Sequence, residues 1–300
     1  MTDPDRRLTA ADFDQELLIL FDAYVHGELD RRAFLERARR FAVGGLTAAG
    51  LLAALGPDFA RAQQVATADP RLHAERIRIE SPAGHGSLPA YLCRPAHAPG
   101  PLPAVLVVHE NRGLNPHVED VTRRLALEGY LALAPDALGP LGGYPGDEDQ
   151  ARAQFARLDQ DKVRQDMLAA VGALARLPGS NGRLGVVGFC WGGGIAHWLA
   201  ARSPELSAAV PFYGNLPAAQ EAARVRATLQ IHFADVDERI NAAWPAYESA
   251  LQAAGARFEA HRYPGTQHGF HNDTTPRYDE AAAKLAWQRT LDFLARQLKR

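Results

Sequence analysis

Gly185-Val186-Val187-Gly188-Phe189-Cys190-Trp191-Gly192-Gly193-Gly194 is the stretch on which the rest of the chain is organised. A short run, Leu184 to Val187, enters it as a strand, and a helical pattern, Ile195 to Arg202, leaves it. Strand, sharp turn and helix, with one nucleophilic side chain at the apex and glycines on both sides, is the pattern of a nucleophile elbow, here carrying Cys in place of Ser. Gly188 and Gly192 allow backbone to pass close to a strained apex where a Cβ would collide. The competing reading is a glycine-rich turn cradling a phosphate. Gly188 and Gly192 do not match the G-x-G-x-x-G spacing, and no Lys-Ser/Thr pair follows as in a P-loop.

Outward from this stretch, the 300 residues suit one large domain with an appendage, or two modest domains. An apolar fraction of 47% and a formal net charge of −2 show no basic face, so nucleic acid is not a favoured partner. The two cysteines, Cys93 and Cys190, make neither a disulfide framework nor a metal-ligand cluster. Cys93 ends an early strand and is expected to be an inert buried thiol. No cofactor is implied.

The first 62 residues have a character of their own. Leu17, Leu18, Leu20, Phe21, Tyr24 and Val25 form one apolar face in residues 1–29, and Gly27 ends the predicted helix. Asp30-Arg31-Arg32-Ala33-Phe34-Leu35 follows, then an uncharged, Ala-, Gly- and Leu-rich stretch from Phe41 to Pro57, then Ala60-Arg61-Ala62. Paired arginines, a mildly apolar run and a small-x-small end resemble a twin-arginine export signal. That predicts a leader over 1–62, a periplasmic domain over 63–300 and no stable membrane span after processing. Against it stand the long segment before the arginines and Glu36 with three more arginines ahead of the apolar run. The alternative is an N-terminal helical hairpin packed on the main domain of a cytoplasmic protein.

Beyond Asp69-Pro70 strands and helices alternate. Ile77–Glu80 and Leu88–Cys93 predict an antiparallel pair around a turn at Ser81–Gly86. Ala104–Val108 is a continuous apolar run, as in a strand buried on both faces of a parallel sheet. Pro116–Glu128 is a helix ending at Gly129, and Tyr130–Ala134 the next strand. A Gly/Pro-rich loop at Gly139–Gly146 precedes a polar helix near 148–158, and Asp161–Leu177 is the crossover helix into the elbow strand. Strands at Ala208–Phe212, Thr228–Phe233 and Arg257–Tyr263 and helices at Ala242–Ala254 and Asp279–Leu298 complete the pattern. The expected architecture is α/β, a mostly parallel central sheet with helices on both faces and active residues at the carboxyl ends of the strands.

A thiol nucleophile needs a base, and the base needs an orienter. His268, behind the strand ending at Tyr263 and flanked by Gly269, is the candidate base; His271, three residues on, is the competitor. Asp235 and Asp237 both follow the strand ending at Phe233. Asp237 lies further round the turn and is the expected orienter, with Asp235 a turn-bonding residue, although periodicity leaves that choice open. His268-x-x-His271 lacks a third ligand nearby in sequence, so no metal site is expected there.

Taken in order, Gly188-Phe189-Cys190-Trp191-Gly192-Gly193, Asp237 and Gly265-x-x-His268-Gly269-Phe270 resemble the dienelactone hydrolase (carboxymethylenebutenolidase) family of α/β-hydrolases. His109-Glu110-Asn111-Arg112-Gly113-Leu114-Asn115 does so too, and the resemblance runs from about Ile77 to the C-terminus. It implies an α/β-hydrolase fold and a Cys190-His268-Asp237 triad. It also implies a Glu110 that hydrogen-bonds the resting thiol. The implied reaction is cleavage of a lactone or small carboxylic ester through a thioester acyl-enzyme, the oxyanion meeting the backbone N–H groups of Trp191 and Asn111. A thioesterase on the same fold, or a redox-sensing thiol protein, are the other readings. The family's basic residue soon after the histidine is missing in His268-Gly269-Phe270-His271-Asn272. Arg152 is a loose counterpart of a second family arginine, and Tyr144, in the loop before it, is a candidate cover for the substrate.

Overall fold

The computed structural model describes residues 6–43 and 46–299, so Gly44 and Gly45 of the uncharged stretch lie outside it. Four helices come first: α1 (Gln15–Val25), α2 (Arg31–Ala38), α3 (Ala48–Leu55) and α4 (Phe59–Ala62). Each is started by a side chain that accepts a first-turn amide, from Asp14, Asp30, Thr47 and Asp58. Such caps contribute about 1 kcal/mol each by giving an orphan N–H a partner. Helices α1 to α3 share a small core of their own, centred on Leu17, Phe21, Tyr24, Phe34 and Leu55. Phe34 and Leu55 are fully buried in it, each contributing about 1.5–3 kcal/mol.

The main unit is one eight-stranded sheet. Its strands are β1 (Leu72–Ser81), β2 (Gly86–Pro95), β3 (Leu102–Val108), β4 (Leu131–Pro135), β5 (Ser180–Phe189), β6 (Leu206–Phe212), β7 (Thr228–Val236) and β8 (Phe258–Gln267). They lie in the order β1-β2-β4-β3-β5-β6-β7-β8, with β1, β2 and β4 paired antiparallel and the remaining pairs parallel. In β3 the side chains alternate between two buried faces: Ala104, Leu106 and Val108 on one, Val105 and Val107 on the other. That two-sided burial is why the run carries no polar alternation.

Seven helices follow in the main unit: α5 (Pro116–Leu127), α6 (Glu148–Phe155), α7 (Gln160–Arg176), α8 (Trp191–Arg202), α9 (Glu238–Asn241), α10 (Trp244–Ala253) and α11 (Glu280–Leu298). Met167, Val171 and Leu174 of α7, Ile195 and Leu199 of α8, and Tyr247 and Leu251 of α10 cover one face of the sheet. Val118, Val121 and Leu125 of α5 with Phe293, Leu294 and Leu298 of α11 cover the other. The expected helix over 148–158 ends at Phe155, and Asp159 caps α7 by accepting from Asp161 and Lys162. The expected helix over 242–254 starts two residues later, α10 opening at Trp244-Pro245, where a proline without an N–H suits the first turn.

After β3 the chain turns to β4 on one side, and it returns with β5 on the other. The carboxyl ends of β3 and β5 therefore flank the point where the winding reverses, the place such sheets keep for a ligand.

Candidate active site

Cys190 stands between β5 and α8 with φ 54° and ψ −114°, one of two non-glycine residues with positive φ among those described. Holding a side chain there costs on the order of 1–3 kcal/mol. Its amide donates to the Phe212 carbonyl at 3.0 Å, which ties the apex to the neighbouring strand. The glycines around it are required by contact. A Cβ on Gly188 would lie 2.0 Å from the Gly192 carbonyl oxygen, and one on Gly192 would lie 2.3 Å from that of Val108. The apex faces the positive end of the twelve-residue α8.

Asp237 and His268 arrive from the ends of β7 and β8. His268 Nδ1 lies 2.6 Å from Asp237 Oδ2, and both side chains are almost wholly buried. Asp235 does something else: its carboxylate accepts from the Gly265 amide at 3.1 Å and its own amide donates to Thr266 Oγ1, stitching the two loops together. His271 stacks on Phe189 with centroids 5.3 Å apart, and burial pushes its pKa down to about 3, so it is a neutral packing residue.

Cys190 is only 8% exposed. Burial alone would raise its pKa; the neighbouring His268 and His26 rings outweigh that and bring the thiol down to about 6. For His268, burial opposes protonation, but Cys190, Asp22 and Asp237 raise the ring to about 10. A protonated ring therefore favours the thiolate, and the thiolate in turn favours a protonated ring. His268 Nε2, the atom that would face substrate, has no hydrogen-bond partner among the described residues.

Asn111 follows β3, and its side chain donates to the Val25 carbonyl at 2.8 Å. The backbone amides of Asn111 and Trp191 have no protein acceptor among the described residues, as donors reserved for an oxyanion would not.

Three of the expected site residues have other partners in the resting structure. The Glu110 carboxylate accepts from Asn272 Nδ2 at 2.9 Å, while the hydrogen bond of the Cys190 thiol goes to His26 Nε2 at 3.4 Å. Arg152 lines a recess beside Cys190 and Trp191, but its guanidinium donates to the Tyr24 and Leu29 carbonyls at 2.6 and 3.3 Å and covers the Tyr24 ring. A helix that was expected to be a leader satisfies it. Tyr144 donates to Glu148 at 2.9 Å and is not among the residues lining the space around Cys190.

The residues that sequence reasoning missed are His26, Asp22, Arg112 and Arg277. Two openings meet at Cys190, with cavity volumes of ≈ 50 and ≈ 230 Å³, and His26 stands in the wall of both. The smaller is lined by Arg112, whose Nε faces the Glu148 carboxylate at 3.4 Å, and by Arg277, whose buried Nε makes no hydrogen bond. Asp22 and His26, four residues apart at the end of α1, were the only signal in sequence, and that spacing is common in surface ion pairs. The nitrogen and sulfur atoms of His26, Cys190 and His268 lie within 4.8 Å of one another, a donor set that suits a soft divalent metal such as zinc. A metal held there would occupy the nucleophile.

Residues 88–298 match the model of the dienelactone hydrolase family, and residues 4–44 match a separate model described as YqhI-like. The chain is 52% identical over 114 residues to a "Putative hydrolase fragment YghX" of Escherichia coli, covering 38% of this chain and 97% of that one. It is 33% identical over 272 residues to a "Putative carboxymethylenebutenolidase" of Methylorubrum extorquens, covering 85% and 92%. Among solved structures, a "Putative Dienelactone Hydrolase" from Klebsiella pneumoniae superposes with a TM-score of 0.68 at 34% identity, over 75% of this chain and 98% of that one.

Proposed function

The chain belongs to the dienelactone hydrolase family and is an ester or lactone hydrolase, and from that premise we propose that it works through a Cys190-His268-Asp237 triad and a thioester acyl-enzyme. The observation that carries this reading is the 2.6 Å His268–Asp237 bond placed beside a cysteine on a strained elbow. The Cys190 thiolate attacks the carbonyl carbon, the oxyanion is met by the amides of Trp191 and Asn111, and the alcohol leaves with a proton from an imidazole. His268 then takes a proton from water, whose oxygen attacks the thioester and releases the acid. Asp237 holds the His268 tautomer and stabilises its charged form.

The substrate we propose carries an anionic group. Arg112 and Arg277 line the opening beside Cys190, and a guanidinium pairs with carboxylate readily; Arg277 Nε is buried without a hydrogen bond, while Arg112 Nε lies 3.4 Å from the Glu148 carboxylate. These two arginines stand where the sequence lacks an arginine directly after His268. We also carry forward the export reading of Arg31-Arg32, with a periplasmic destination. No described helix is long and apolar enough to cross a membrane.

The test of the hydrolytic reading is steady-state turnover of a dienelactone and of an activated aryl ester by the full chain and by its Cys190→Ala variant. The variant is expected to lose at least about 10³-fold in kcat at unchanged folding. Turnover that survives the substitution would remove Cys190 from the mechanism.

A further inference from the structure

The nucleophile has a second imidazole beside it, delivered from the opposite end of the chain. His26 follows α1, and its Nε2 lies 3.4 Å from Cys190 Sγ. Its ring stands edge-on to that of His268, with centroids 4.7 Å apart and an 86° interplanar angle. His26 Nδ1 lies 2.8 Å from the Asp22 carbonyl and 3.3 Å from the Asp22 carboxylate. Arg239, at the start of α9, places Nη2 3.1 Å from His26 Nε2. A guanidinium can only donate, so the resting Nε2 is an acceptor and Nδ1 carries the hydrogen towards Asp22. The Cys190 thiol is the other donor at that nitrogen.

Asp22–His26–Cys190 therefore repeats, on another side of the sulfur, the order carboxylate–imidazole–thiol of Asp237–His268–Cys190. The repeat is held firmly. Arg277 Nη1 donates to Asp22 at 3.1 Å. The Val25 carbonyl, next to His26, accepts from Asn111 Nδ2 at 2.8 Å and from Arg112 Nη2 at 3.1 Å. Residues of two separate loops of the main unit, with Arg239 of α9, thus fix the end of α1 over Cys190.

We propose that His26 is a catalytic residue of this hydrolase, a second imidazole backed by Asp22 that takes the Cys190 proton and leaves His268 free to serve substrate and water. The inference rests on the reading of Cys190 as the nucleophile. In the first step the S–H bond breaks, the proton passes to His26 Nε2 and the electron pair stays on sulfur. The thiolate forms the S–C bond while the carbonyl pair moves to oxygen. When the carbonyl re-forms, the ester C–O bond breaks and the leaving oxygen takes the proton from His26. In the second step His268 takes a proton from water as its oxygen attacks the thioester. The C–S pair then returns to sulfur, which recovers the proton from His268. Both imidazoles end neutral, and the sum is ester plus water giving acid plus alcohol.

The charges facing this group come from every element around it. Asp22, Asp237, Glu110 and Glu148 favour protonated rings; Arg112, Arg152, Arg239 and Arg277 favour the thiolate. Burial opposes charge on His26, but Cys190 and Asp22 outweigh it and raise the ring above its ordinary value.

The experiment uses the full chain, comparing wild type with His26→Gln and Asp22→Asn. Iodoacetamide alkylation of Cys190 is followed against pH by mass spectrometry, beside kcat/KM for an aryl ester. Cys93, fully buried with its thiol pushed up to about 11, is an internal unreactive reference. Loss of one of two flanking imidazoles is expected to move the alkylation midpoint up by about one pH unit in His26→Gln. Its kcat/KM near neutrality is expected to fall at least about tenfold. Asp22→Asn, which keeps the ring in place, is expected to shift the midpoint in the same direction by less. An alkylation profile that superimposes on wild type in both variants would overturn the proposal. So would a rise in kcat/KM, which would make His26 a plug. Cys190→Ala separates the two levels: turnover surviving it overturns the nucleophile assignment itself. Turnover lost in Cys190→Ala with an unmoved midpoint in His26→Gln overturns only the role of His26.

Discussion

In the proposed mechanism Cys190 must be a thiolate before it attacks, and burial works against the charge. His268 and His26 reverse that and hold the thiol near a pKa of about 6, while the thiolate and the carboxylates Asp22 and Asp237 hold His268 near about 10. The sign follows directly. As pH falls through the lower value the thiolate is protonated and attack stops; as pH rises through the upper one His268 loses the charge that favours the thiolate beside it. The full chain is therefore expected to show kcat/KM rising with pH to a half-point near 6 and holding a plateau until about 10. A half-point near about 8.5, that of a free cysteine, would show that the neighbouring rings do not act on the sulfur. Cys190, Asp237 and His268 were legible because each immediately follows a strand and so falls at one end of the sheet. His26 was not, because nothing in sequence relates an i,i+4 Asp-His pair on a helix to a cysteine 164 residues away.

The elbow is the element that fixes this geometry, and it tolerates no side chain at its glycines. Gly188→Ala would put a Cβ 2.0 Å from the Gly192 carbonyl oxygen, which belongs to the first turn of α8 and cannot swing aside. The variant is expected to lose at least about 3 kcal/mol of stability in urea unfolding, beyond the common cost of overpacking. A loss below about 0.5 kcal/mol would mean that the elbow is looser than its contacts imply. The same glycines limited what the sequence could show. The helical pattern becomes visible only at Ile195, whereas α8 starts at Trp191, because the first turn is made of glycines. Those glycines are small for the sake of packing: a Cβ on Gly193 would meet the Phe212 carbonyl oxygen at 2.6 Å. Buried strands such as β3 were legible from their apolar runs. The edge strand β1 was underestimated, beginning at Leu72 and not Ile77, because most of its residues face solvent and carry no apolar signal.

Across the whole molecule, the segment expected to leave is the segment that covers the site. Arg31, one of the paired arginines, opens α2 and reaches Asp149 at 2.6 Å; Tyr24 donates to the same carboxylate, and the Asp58 amide donates to the Thr274 carbonyl at 2.8 Å. Export and catalysis then make separable demands on residues 1–62. Replacing Arg31 and Arg32 together with Lys keeps both charges, and if the segment is a twin-arginine signal the protein is expected to remain in the cytoplasm. Protein reaching the periplasm despite that change would end the export reading. The mass of the exported species bears on the site as well, since cleavage after Ala62 would remove His26. Sequence alone set out both states of this segment, and only the packing of Leu17, Phe21 and Phe34 into a core of their own, with the bonds of Arg31 and Tyr24 to the main unit, revealed the folded one.

The central claim is that hydrolysis passes through a covalent bond to Cys190. Intact-protein mass spectrometry of the full chain, quenched in acid during turnover of an aryl ester, tests it most directly. The account predicts one added acyl mass, mapped to the peptide containing Cys190 and absent from Cys190→Ala. Steady turnover with no adduct at any quench time, or an adduct on another residue, would contradict it.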